Sequence, residues 1–103
     1  MSLKFVGTEV VFRGIIGDFH VEITGIAALC GSNHLPDDCH EPAASGMLTY
    51  LQAVKDGRNV RDLGHLKSIL QEGPRGPRIM AKDPHDRRPP ICWDPALTNF
   101  KKL

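Results

Sequence analysis

Between Cys30 and Pro42 the chain reads CGSNHLPDDCHEP, a stretch that holds two of the three cysteines and two of the five histidines. Cys30, His34, Cys39 and His40 are the donor types that zinc takes, four to a tetrahedron at about 2.0–2.3 Å. Their spacing works against a site. Structural zinc pairs are usually separated by two to four residues on a tight knuckle, whereas Cys39 and His40 are adjacent and tend to point apart. Cys30 also closes an apolar run, where cysteine packs as a small hydrophobe. The expectation is a polar loop beside a buried Cys30, with zinc as the alternative and no cofactor required.

Thiol chemistry needs a thiolate, which cations and helix N-termini favour. Cys39 precedes a helical pattern and has His40 beside it, but Asp37, Asp38 and Glu41 are near enough in sequence to raise its pKa. Cys92 follows Arg87 and Arg88, yet Pro90 and Trp93 give it the look of an edge-strand residue. Anion binding is the other possible chemistry. Arg75, Arg78, Arg87 and Arg88 could grip a phosphate if they converged, because guanidinium forks bind it bidentately. Convergence is not visible in a sequence, and exposed arginines beside Asp83 and Asp86 ordinarily form weak surface pairs. The run GPRGPR lacks the phosphate-loop pattern GxxxxGK[ST]. His20 and His65 stand alone, on a strand face and on a helix, and read as structural or exposed.

The elements that would carry these residues follow from hydrophobic period. Val10 and Phe12, then Phe19, Val21 and Ile23, recur at every second position, with His20, Glu22 and Thr24 on the opposite face of the second run. Gly17-Asp18 between the runs has turn chemistry, so an antiparallel hairpin over Glu9 to Thr24 is predicted, with Leu3 to Val6 a possible further strand. Ile26 to Leu29 reads as a turn or two of helix closed by Gly31. From Pro42 the period changes: Met47, Leu51 and Val54 fall at i, i+4 and i+7, and Asp56-Gly57 ends the run. A second helix is predicted from about Val60, with Leu63, Leu66, Ile69 and Leu70 on one side and Gly73-Pro74 as its stop. Asp94-Pro95 resembles an N-cap with proline in the first turn, which predicts a final helix bearing Leu97, Phe100 and Leu103.

These elements give an α+β fold, a small antiparallel sheet built on the N-terminal hairpin plus edge strands at Arg78 to Lys82 and Ile91 to Trp93, packed against two to three helices. The 103 residues fit one domain. Residues 73–90, rich in proline and arginine, form its connector. Trp93, just past that connector, is expected to bury itself against the sheet of its own chain or of a second copy, and so is the predicted interface residue.

Composition bounds the function. Hydrophobic residues are 41% and charged residues 24%, ordinary for a globular domain. The longest apolar stretches fall far short of the roughly 20 residues that span a bilayer, and no signal-peptide core precedes Glu9. With an odd number of cysteines, expected to stay reduced, the protein is read as cytoplasmic. The net charge of +1 hides an asymmetry: residues 1–51 hold two basic and six acidic side chains, and residues 52–103 eleven basic and six acidic. Intramolecular matching explains this most simply, and an anionic partner is the alternative. The two central helices resemble a helix-turn-helix only in topology, since Asp62 and Gly64 occupy the start of the second, where base-reading residues belong. No nucleophile–base set is clustered in the sequence. The leading expectation is a non-catalytic domain that binds a protein partner or a second copy of itself, ahead of nucleic-acid or phosphorylated-ligand binding through the basic second half.

Overall fold

The alternation of apolar residues produces two long strands, β1 (Thr8–Ile16) and β2 (Phe19–Leu29), in a computed structural model that describes residues 5–73, 76–80, 85 and 87–103. They pair antiparallel from Thr8↔Ala27 to Ile16↔Phe19. The turn between them is Gly17-Asp18, where Gly17 sits at φ 61°, a left-handed conformation that glycine adopts without steric cost. Register puts Val10, Phe12 and Ile16 of β1 on the same face as Phe19, Val21 and Ile23 of β2, as the period predicts.

That face is covered by α1 (His40–Arg58), which buries Ala43, Met47 and Leu51, and α2 (Leu63–Glu72), which buries Leu66 and Leu70. Helix α1 ends where Asn59 turns left-handed at φ 52°. Helix α2 starts at Asp62, whose carboxylate accepts the His65 backbone N–H at 2.8 Å. Close approach of α1 to the sheet depends on small residues: at Gly25 an added Cβ would lie 3.0 Å from Met47 Sδ and 3.1 Å from Trp93 Nε1.

The remaining strands are short: β3 (Arg78–Ile79), β4 (Ile91–Trp93) and β5 (Asn99–Lys102). Strand β2 takes β1 on one flank and, on the other, β4 against Ala27–Leu29 and β5 against Val21–Thr24. Strand β3 then adds to β4, so that among the described residues the sheet has five strands. The α+β class with two helices on one face of an antiparallel sheet is the one expected.

Three local expectations are corrected. Ile26 to Leu29 continue β2 instead of coiling, because Ala27 and Ala28 are small enough to lie beside Trp93 and Cys92 of β4. The final helix is a single 3₁₀ turn, Pro95–Leu97, followed by strand. Asp94 does cap it, accepting from the Ala96 N–H at 3.0 Å, but the buried Thr98 accepts the Trp93 indole N–H at 3.0 Å and Phe100 pairs with Ile23, which turns the chain back into the sheet. Of Leu3 to Val6, the first two lie outside the described residues, and Phe5 and Val6 are not strand.

Candidate functional site

The cysteine–histidine loop resolves first. Cys30, at the end of β2, is joined to Cys92 of β4 by a disulfide that spans 62 residues of sequence. Two of the thiols expected to stay reduced are therefore bonded to each other, and the Cys30 sulfur is not available as a metal donor while the bridge is closed. Cys39 is the free cysteine and is buried. His34 is exposed, and only its backbone N–H is held, by Ser32 Oγ at 3.1 Å. His40 is half-buried with Nε2 3.9 Å from Asp37 Oδ1. Among the described residues no group of three or more His, Cys, Asp or Glu side chains could hold a metal ion.

Cys39 ends the 3₁₀ turn Asp37–Cys39 that leads into α1. Its sulfur lies 3.7 Å from Asp38 Oδ1 and 3.5 Å from Arg88 Nη1. Burial pushes the thiol pKa up and Asp38 adds to the rise, against a smaller opposing effect of Arg88. Such a thiol stays protonated at neutral pH, the opposite of what a nucleophile needs.

Cys39 and Arg88 also line a cleft of about 470 Å³, together with Tyr50, Arg78, Met80 and Trp93. Its position follows from the register, which places Arg78 beside Trp93 on the helix-covered face. There Arg78 Nη1 donates to Tyr50 Oη at 2.7 Å, and the Tyr50 ring meets the Trp93 indole edge-on at 5.2 Å. Two of the four candidate arginines thus share one cleft. Arg87 is exposed and does not line it, and Arg75 lies outside the described residues. Trp93, expected to bury itself against the sheet of its own chain or of a second copy, is 1% exposed and sits in the core of its own chain.

The second feature is the outer edge of β1. With a two-residue turn, Ile16 and Phe19 form a hydrogen-bonded pair, and alternation then directs the amides and carbonyls of residues 8, 10, 12 and 14 toward β2. Those of Glu9, Val11, Arg13 and Ile15 point away from it. The opposite flank of β2 agrees with this phase, since His20, partner of Ile15, offers its carbonyl outward to the Leu103 N–H at 2.9 Å. One outward group of β1 is already taken: the Ile15 carbonyl accepts from Gln52 Nε2 of α1 at 3.0 Å. Among the described residues nothing bonds to the outward amides and carbonyls of Glu9, Val11 and Arg13. The side chains alongside are charged and apolar in alternation, Glu9, Val11, Arg13 and Ile15, with Val11 53% and Ile15 49% exposed.

Comparison of the chain with family models, with curated proteins and with solved structures finds no match. Among the described residues no helix is long and apolar enough to cross a membrane. The open edge was within reach of the sequence: once β1 is the first strand of a hairpin and later strands return to β2, its far side has no partner among the described residues.

Proposed function

We propose that this chain is a small non-catalytic binding domain that takes an extended protein segment onto the outer edge of β1. The observation that carries the reading is the row of three residues, Glu9, Val11 and Arg13, whose backbone groups face outward in strand geometry with apolar side chains alongside. A strand added there gains main-chain hydrogen bonds, and Val11 and Ile15 supply the side-chain contacts. The one free thiol is a poor nucleophile, because burial and the Asp38 carboxylate raise its pKa by more than Arg88 lowers it.

Proline makes the test clean. Proline on an edge strand is tolerated where its missing N–H would face outward, so Val11→Pro removes a donor from the open edge and leaves the β1–β2 ladder intact. A displayed peptide library screened against the unmodified chain should yield binders that Val11→Pro loses, and their addition should slow amide exchange at Val11 and Arg13. A chain that is monomeric under the screening conditions and yields no such binders rejects the edge as a binding site.

A second reading rests on a different observation, the presence of Arg78 and Arg88 in one cleft. A phosphorylated or nucleic-acid ligand there would show affinity that falls steeply with salt and is lost in Arg88→Ala. The cytoplasmic location expected from the sequence fits poorly with the Cys30–Cys92 bridge, since such bonds persist in oxidising compartments and are opened by cellular reductants.

A further inference from the structure

We infer that the segment that occupies the β1 edge is β1 of a second copy of this chain, antiparallel about a two-fold axis through Val11. This rests on the edge reading above and adds the identity of the partner and its register. The row of available backbone groups is short, which restricts the choices. A two-fold pairing in which outward-facing residues meet must be centred on one of residues 9 to 13. Centred on Glu9 or on Arg13, it opposes a charge to its own copy. Centred on Val10, it opposes Glu9 to Val11 and Arg13 to Gly7. Centred on Phe12, it opposes Glu9 to Ile15, whose carbonyl Gln52 already holds. Centred on Val11, it opposes Val11 to Val11 and Glu9 to Arg13 twice over, with every outward group of the three residues used.

The surroundings fit that register. Glu9 is exposed and has no ion pair among the described residues, while Arg13 is held loosely, its Nε 3.9 Å from Glu22 Oε2. Both charges can therefore turn to a partner strand. On the helix-covered face the same register sets Val10 opposite the half-buried Phe12 of the other copy, so that apolar side chains meet there. Helix α1 approaches β1 at the turn end, through Leu48 at Gly14, Gln52 at Ile15 and Lys55 at Gly17. The antiparallel partner brings its own α1 to the opposite end, so the two helices do not compete for the middle of the edge. Two five-stranded sheets become one continuous sheet, and each copy blocks the other's edge against further addition.

Sedimentation over a concentration series should give a mass that rises from 11.4 kDa toward twice that value, and Val11→Pro should hold it at the lower limit. Glu9→Lys should raise the dimer dissociation constant about tenfold by setting like charges opposite one another at two symmetric places, and Arg13→Glu in the same chain should restore it. Register is read by mild oxidation. Val11→Cys places the new thiols across the axis with Cα atoms about 5.5 Å apart, within disulfide reach, whereas Ile15→Cys places them about 27 Å apart. A linked dimer from the first and not from the second is expected. Equal linking at both positions overturns the register. A chain that stays monomeric at every concentration overturns the self-pairing. If that monomer still takes library peptides in a Val11-dependent way, the edge reading stands without it; if it takes none, both fall.

Discussion

The two flanks of β2 are built in opposite ways. On one side β1 pairs along its whole length and, among the described residues, is itself left open beyond. On the other, β4 and β5 share the strand end to end, and that side is fastened three times: by the Cys30–Cys92 disulfide, by the buried Trp93–Thr98 hydrogen bond and by the pairing of Phe100 with Ile23. The difference separates two tasks. The fastened flank closes the core over Trp93, and the open one leaves a strand whose outward groups are aligned for something else. If the proposed edge reading holds, stability and recognition lie on opposite sides of one strand, and each can be altered with limited effect on the other.

The harshest way to break this division is at the strand both flanks share. Val21 is fully buried in β2, so Val21→Asp places an unpaired charge in the core and should abolish folding, seen as loss of the cooperative thermal transition. Next is the fastened flank alone. Cys30→Ala with Cys92→Ala opens a large loop and should cost about 2–4 kcal/mol in denaturant titration, while concentration-dependent association through β1 persists. A smaller change on the same side is Thr98→Val, which keeps the shape but leaves the Trp93 indole N–H without its acceptor, at a cost of about 1–3 kcal/mol. The smallest effect belongs to the open side. Gln52→Ala releases the exposed Ile15 carbonyl, should shift stability by less than about 1 kcal/mol, and should tighten association by lengthening the available edge. A large loss of stability in that variant would show that Gln52 fastens β1 to α1, and the contrast between flanks would weaken.

The hairpin and both helices were legible because period alone specifies them. Val10 and Phe12, then Phe19, Val21 and Ile23, alternate, Met47, Leu51 and Val54 wind, and neither pattern needs knowledge of a distant residue. The misreadings fall where a distant residue decides. Ala27 and Ala28 have no strand preference of their own and are strand because β4 lies beside them. Asp94-Pro95 carries a sound helix-start signal, obeyed for one turn and then overruled by Thr98 and Phe100. The candidate site divides in the same way. Arg78 and Arg88 reach one cleft through tertiary packing that their spacing does not encode, and an odd cysteine count could not reveal that Cys30 and Cys92 are partners across 62 residues. The open edge of β1 belongs to topology, and no single residue announces it.

The end-to-end sharing of β2 also orders the events of folding. The β1–β2 hairpin closes over a two-residue turn and can form early, but the strands that complete β2 come from residues 91–102. Contacts so distant in sequence close slowly. During synthesis β2 therefore waits with its second flank bare until those residues have been made, and for that interval the hairpin has two open edges instead of one. Aggregation, if it occurs, should track the delay in delivering β4 and β5, and a chain halted before Ile91 should be the most exposed form of this protein.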